Sequence, residues 1–196
     1  MIAALYVMAD GIYSGRPDVD CWPEERDARK YDGPWPVVAH PPCASWCMLA
    51  GLREHRYGLK KGDDGGCFAA ALRSVRTWGG VLEHPAHSAA WRKFDLTAPR
   101  FGSWQRQLDG GWVTEVWQVD YGHRAQKKTW LLSYGVAPQT LRWEARPHTA
   151  VVSGSHNHCK KPIGERNRVW RKEASSTPPE FAELLLSIAR TAGDCP

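Results

Sequence analysis

A chain of 196 residues, 42% hydrophobic and 24% charged, is large enough for one full core and is neither fibrous nor disordered in composition. It has no apolar run near the roughly 18 residues of a membrane span, and its start, Met1–Met8, lacks the basic flank of a signal peptide, so a cytoplasmic protein without a membrane partner is expected. The net charge of +5 is concentrated: residues 121–172 hold 11 Lys/Arg against 2 Asp/Glu, whereas residues 1–120 hold 14 against 15.

Residues 3–9 read as a buried strand, closed by Asp10-Gly11 and a turn-rich stretch to Pro17. The polar span 18–33 suggests a short helix around Pro23–Lys30, with Pro23 in the first turn, where its missing N–H is harmless. Trp35–Ala39 is a short apolar run bounded by prolines, as suits a buried parallel strand. It runs directly into His40-Pro41-Pro42-Cys43. A helix is predicted over 65–78, with Phe68, Leu72, Val75 and Trp78 near one face and Gly79-Gly80 as its stop. Val81-Leu82 is a very short strand that delivers Glu83-His84-Pro85. Residues 114–120 alternate as a strand, and 128–133 read as another. The span 134–170 is rich in Pro, Gly, His and basic residues and has little periodicity. A last helix opens at Thr177-Pro178-Pro179-Glu180 and runs to about Ala192, with capping-box spacing between Thr177 and Glu180. Strands alternating with helices imply a single α/β domain over residues 1–196, a three-layer sandwich with a mostly parallel sheet.

Ligands of open α/β sheets bind beyond the carboxyl ends of the strands, and two such ends carry chemistry. Two prolines hold Cys43 in a stiff loop where a nucleophile is useful; the bland use of such a cysteine is as a small buried hydrophobe. The six cysteines (21, 43, 47, 67, 159 and 195) form no disulfide framework of a small secreted domain, so their thiols are free for chemistry. Glu83 leaves its strand in the same way, locked by Pro85, with helix capping or ion pairing as its bland use. A thiolate and a carboxyl group together suit a pyrimidine ring. The thiolate adds at C6, the carboxyl group hydrogen-bonds the N3/N4 edge, and C5 becomes rich enough in electrons to attack an electrophile. A third strand end, from Asp120 to Trp130, offers Arg124, Gln126 and Lys128 to a phosphate or to pyrimidine O2, and their charge favours a thiolate. The basic block 121–172 is either a solvated loop region or the footprint of contact with a phosphate backbone. The 11 tryptophans are mostly packing residues, with stacking on bases as the alternative use.

Pro41-Pro42-Cys43, Glu83-His84-Pro85 and the Arg124–Lys128 loop before Thr129-Trp130-Leu131-Leu132 stand in the order and approximate spacing of three motifs of another group. The chain here resembles the cytosine-C5 DNA methyltransferases, with their Pro-Cys nucleophile loop, Glu-Asn-(Pro/Val) loop and Gln-x-Arg-x-Arg segment. The stretch from Arg171 to Glu180 is similar to the family's Arg-x-x-x-Thr-Pro-x-Glu segment. The resemblance covers roughly residues 35–132 and the last helix. It implies a shortened Rossmann-like methyltransferase fold, as in a compact phage-like transferase. Cys43 would be the nucleophile and Glu83 the cytosine-binding acid, with Pro42, His84, Arg124, Gln126 and Lys128 positioning the base and the Cys43 loop. S-adenosylmethionine would be the cofactor and DNA the partner, with the basic span 133–170 as a reduced target-recognition segment.

The departures are specific. The family's Phe-x-Gly-x-Gly donor loop is matched only by Asp10, Gly11 and Gly15. The 27 residues between Gly15 and Cys43 are too few for the two further strand–helix units that hold the donor, and Asp18, Asp20 and Asp32 are the acidic substitutes at hand. His84 stands for the family's Asn, and Gln126 and Lys128 for its Arg residues. Two other readings therefore stay open: a non-catalytic DNA-binding relic, and a C5-modifying enzyme that acts on free pyrimidine nucleotides without S-adenosylmethionine. A zinc site is the rival chemistry, drawn from His40, Cys43, Cys47, His84, His87, His156, His158 and Cys159. Cys43-x-x-x-Cys47 is not the tight Cys-x-x-Cys knuckle, and no His-x-Glu precedes Pro-Cys as in the nucleobase deaminases, so no metal is assigned.

Overall fold

The structure is a computed structural model that describes residues 1–47, 50–58, 60–135, 139–152, 168–169 and 171–193. The strands of its main sheet are β1 Ile2–Leu5, β2 Val19–Trp22, β3 Val37–Ala39, β4 Gly80–Pro85, β5 Gln105–Arg106, β6 Trp112–Trp117 and β7 Lys128–Tyr134. A separate parallel pair joins β8, Val151–Val152, to β9, Arg168–Val169. The helices are α1 Ala50–Tyr57, α2 Cys67–Trp78, α3 Ala89–Lys93, α4 Arg171–Ser175 and α5 Pro179–Arg190.

The seven-stranded sheet has the order β2-β1-β3-β4-β7-β6-β5. The protein is thus a mixed α/β fold, but the expectation of a mostly parallel sheet is corrected. The β1–β2, β1–β3 and β3–β4 pairings are parallel, whereas β4–β7, β6–β7 and β5–β6 are antiparallel. Parallel neighbours need a crossover of about a dozen residues or more, usually helical. α2 supplies one between β3 and β4. Only residues 118–127 join β6 to β7, a 3₁₀ turn at Gln118–Tyr121 and a loop, so the chain doubles back.

Alternate residues of the central strands face opposite layers. Ala3, Leu5, Val37, Ala39 and Leu82 cluster with Phe68, Leu72 and Val75 of α2. Ile2, Ala4, Val38 and Val81 cluster with Phe181, Leu185 and Ile188 of α5 on the other face. Burial on both faces is why β1 and β3 are continuous apolar runs rather than alternating ones. At the start of β4 the sheet depends on a missing side chain. A Cβ on Gly80, whose φ is 108°, would lie 2.0 Å from the Val37 carbonyl oxygen. Gly80 thus lets β4 close on β3 and carries Glu83 to the same sheet edge as Cys43.

Other expectations shift at their boundaries. β1 stops at Leu5 rather than residue 9, because Tyr6 enters the left-handed region with φ 61°. Edge strand β2 lies where a polar connector was expected, and Pro23–Lys30 holds two 3₁₀ turns, Glu24–Arg26 and Ala28–Lys30, in place of a helix. The Thr177–Glu180 capping box does not form, since Pro178 is the N-cap residue of α5 and no side chain caps it. Residues 139–149 run without regular structure. The span 153–167, within the expected recognition segment, lies outside the described residues. Among the described residues no helix is long and apolar enough to cross a membrane.

Candidate active site

The carboxyl end of β3 builds the first wall. The His40 backbone N–H still donates to the Leu5 carbonyl at 3.1 Å, so the sheet holds His40 one residue past the strand. Pro41 and Pro42 then restrict the backbone, and the Cys43 carbonyl accepts from the N–H groups of Trp46 (3.0 Å) and Cys47 (2.9 Å). Cys43 is half-buried at the head of this turn, and Pro42 is exposed on its rim.

The adjoining strand end, that of β4, supplies Glu83. Its Oε2 lies 3.0 Å from His40 Nδ1, with side chains only 13% and 14% exposed. His40 Nε2 lies 2.9 Å from the hydroxyl of Tyr13. One tautomer satisfies both contacts: Tyr13 O–H donates to Nε2, and Nδ1–H donates to Glu83. Gln118, at the end of β6, donates its amide to Thr129 Oγ1 at 3.0 Å and more weakly to Glu83 Oε1 at 3.5 Å. Burial pushes the Glu83 carboxyl up, but the His40 hydrogen bond and charge, with Lys127 and His84, outweigh it and hold the pKa below its usual value. Burial pushes the Cys43 thiol up, and the charges of Glu83 and Cys47 add to this. The thiol and the carboxylate leave neighbouring strands, since Ala39, four residues before Cys43, pairs with Leu82, the residue before Glu83.

Lys127 is the cation of this group. Its backbone has φ 34°, its ammonium donates to the Ser176 carbonyl at 2.9 Å, and burial depresses its pKa against the pull of Glu83 and Cys43. In turn Lys127 counters the rise of the Cys43 thiol. Beneath the loop, His84 is 1% exposed, stacked on Trp91 (centroids 6.2 Å apart) and edge-on to Phe68 (5.2 Å). Neither ring nitrogen makes a well-formed hydrogen bond, although the Pro42 backbone is close enough to oppose the effect of burial, which pulls the His84 pKa down to about 4. His84 is therefore a neutral packing group under the Cys43 turn.

The structure brings Cys43, Glu83, Pro42 and His84 together and sends other expected residues elsewhere. Arg124 is corrected from base-positioning residue to surface ion pair: its Nε and Nη2 each lie 2.7 Å from the Glu173 carboxylate. Lys128, also corrected, is exposed with its ammonium 4.9 Å from the Trp117 ring centroid. Gln126 is half-buried and its side chain has no hydrogen bond among the described residues. The left-handed turn at Lys127 reverses which side chain faces inward, and the motif pattern pointed at its two neighbours. His40 had been weighed only as a zinc ligand, and Tyr13 and Gln118 had no sequence signal beyond lying at strand ends.

The residues expected to hold S-adenosylmethionine do not fit that role. No helix follows β1 to present amide groups, and Gly11 sits in a tight turn where a Cβ would lie 3.1 Å from the Met8 carbonyl oxygen. Asp10 and Gly15 are exposed in the same turn-rich loop, while Tyr13 folds back, 2% exposed, against Ile2, Ala4 and Val38. Within β2, Asp20 is taken by Trp22 Nε1 (2.8 Å) and by Arg26. Among the described residues no three His, Cys, Asp or Glu side chains converge as a metal site. His156, His158 and Cys159 lie outside the described residues. Comparison with protein-family models, with curated proteins and with solved structures finds nothing that matches this chain.

Proposed function

We propose that this chain takes a cytosine of DNA at the carboxyl ends of β3 and β4 and modifies it at C5 through a covalent Cys43 adduct. The observation that carries this reading is the convergence of the Cys43 thiol, the Glu83 carboxylate and the Lys127 ammonium at adjoining strand ends. The finer reading of the sheet as a shortened Rossmann-like methyltransferase fold is supported by its strand order. β2 and β3 lie on opposite sides of β1, and open α/β sheets hold ligands at such a switch point, outside the carboxyl ends.

In the proposed reaction the Cys43 proton passes to Glu83, and the thiolate forms a bond to C6. The C5=C6 pair becomes C4=C5, and the C4=N3 pair moves to N3, which takes the proton from Glu83. Lys127 offsets the transient negative charge, and His40, held by Tyr13, keeps Glu83 aimed. C5 of the enamine then takes an electrophile and C4=N3 re-forms; water removes the C5 proton, that electron pair restores C5=C6 as the C6–S bond breaks, and N3 returns its proton through Glu83 to the Cys43 thiolate. In a duplex the cytosine must first swing out of the stack. Because the donor loop does not fit S-adenosylmethionine, no step is routed through it.

The simplest electrophile, a proton, gives a donor-independent test, since adduct formation then exchanges the C5 hydrogen with water. With an oligonucleotide labelled with tritium at cytosine C5, the wild-type protein should release label into water. Cys43→Ser should abolish release, and Glu83→Gln should slow it by about 10²- to 10⁴-fold. Release that survives Cys43→Ser, or no release from any cytosine substrate, sinks the proposal. Release from dCMP but not from DNA transfers it to free nucleotides.

A further inference from the structure

A cleft of about 500 Å³ opens between the loop at residues 60–63 and α3, lined by Lys60, Lys61, Arg92 and Lys93, with Trp46 and Asp63 also in its wall. All four cationic side chains are exposed, and none makes an ion pair among the described residues. The opposing charges nearby are Asp63 in the lining, Asp64 on the Trp46 indole, and Glu54, whose carboxylate accepts the Lys61 backbone N–H at 3.4 Å.

The cleft is built rather than an accident of loose side chains. Trp46 is 4% exposed, and its indole N–H is fixed on Asp64 at 2.8 Å. Gly62 lies flat on that ring with φ 86°, where a Cβ would come within 3.2 Å of it. The Gly62 N–H donates to the Ser45 carbonyl at 2.8 Å, and the Ser45 hydroxyl donates to the Asp63 carbonyl at 2.6 Å. The opposite wall is tied in as well, since the Ala89 N–H at the start of α3 donates to the Trp46 carbonyl at 2.9 Å. The turn from Cys43 to Trp46 closes with a hydrogen bond, which keeps the two α-carbons within about 7 Å of each other. Trp46, in the cleft wall, thus belongs to the same turn as Cys43, although Cys43 does not itself line the cleft.

We infer that this cleft grips the phosphodiester backbone of a DNA strand next to the cytosine that enters the Cys43 site. The inference rests on the proposed function for its choice of DNA. Four flexible cations facing one another across a cleft suit a run of phosphates better than a single carboxylate ligand. Buried to 4% exposure and covered by Gly62, the Trp46 ring serves as a wall and not as a base-stacking platform. Contacts of this kind bind without sequence preference and release counterions, so they weaken steeply with salt.

The test is the salt dependence of binding of a fluorescent DNA oligonucleotide, followed by anisotropy. Lys60→Ala/Lys61→Ala/Arg92→Ala/Lys93→Ala should flatten the slope of log affinity against log salt by about 3 units and weaken low-salt binding on the order of 100-fold, equally for unrelated sequences. Lys60→Arg/Lys61→Arg should retain binding. Tritium release from labelled dCMP, where the wild type shows it, should persist in the quadruple variant, which separates the cleft from the chemistry. If Cys43→Ser leaves release intact while the quadruple variant loses DNA, the cleft stands and the adduct falls. An unchanged slope in a quadruple variant that melts like wild type overturns the inference, as does tighter binding of polyglutamate or RNA than of DNA.

Discussion

Two parts of this molecule carry dense positive charge and use it differently. In 121–172 three arginines are committed to carboxylates: Arg124 to Glu173, Arg142 to Glu180 and Arg146 to Glu144. Lys127, from the same stretch, turns inward to Cys43 and Glu83. In the cleft beside α3, Lys60, Lys61, Arg92 and Lys93 have no such partners among the described residues. The first region stands out in a count along the sequence; the second draws on two short, unremarkable pairs separated by 30 residues. A run of basic residues projects a field only where carboxylates folded beside it leave the charge uncompensated. Folding here closes three pairs in one place and leaves four cations open in the other.

The pH at which the two regions can be compared is set by His84. Its pKa falls from 6.5 to about 4 on folding, so between those values the unfolded chain binds a proton that the folded chain does not. Stability should then drop as pH falls from about 6.5 to about 4, by a total on the order of 3 kcal/mol. Glu83, with its depressed pKa, adds a loss only below its ordinary value of 4.5. Urea melts of wild type and His84→Phe at pH 7 and pH 4.5 check this, and the variant should lose most of the difference. Binding experiments therefore belong above pH 6.5.

Lys127 is the exception within the first region, and its removal should separate binding from chemistry. Lys127→Met should slow C5 exchange on the order of 100-fold while leaving DNA affinity within about twofold, because this cation is held by the Ser176 carbonyl within electrostatic reach of Glu83 and Cys43. A comparable loss of affinity would assign Lys127 to the backbone contact instead. A smaller effect breaks or keeps the contrast directly: Arg124→Ala/Arg142→Ala/Arg146→Ala should change DNA binding by no more than about twofold. If this triple variant loses as much as the four-residue cleft variant, the paired arginines are exchanging carboxylates for phosphates. The smallest effect is the coupling between Arg124 and Glu173. Both are solvent-exposed, so a double-mutant cycle should find a coupling close to zero, even with a bidentate geometry.

Much of the site was legible because its logic is local. A strand followed by Pro41-Pro42 must end in a stiff loop, and Gly79-Gly80 before Val81-Leu82 announces a short strand that presents Glu83. The inward cation was not legible, since a single left-handed residue decides whether 126, 127 or 128 faces the thiol. β2 was missed for a different reason: Val-Asp-Cys-Trp at a half-exposed sheet edge lacks both alternation and a continuous apolar run. The sheet's mixed direction was readable in principle from the short β6–β7 link, which has no room for a helical crossover. The Thr177 box failed because Pro178 took the cap position that the spacing assigned one residue earlier.

β7 has antiparallel partners on both sides, and its neighbours in sequence, Trp130 and Leu131, belong to opposite cores. Adding one residue between 118 and 127 would slide β7 past both partners and exchange those two faces. The hairpin at 107–111 is under no such constraint, since its tip residue Leu108 is fully exposed and β5 beyond it is only two residues long. During divergence the chain can grow at that tip, and an inserted peptide should be accepted there and rejected one turn later.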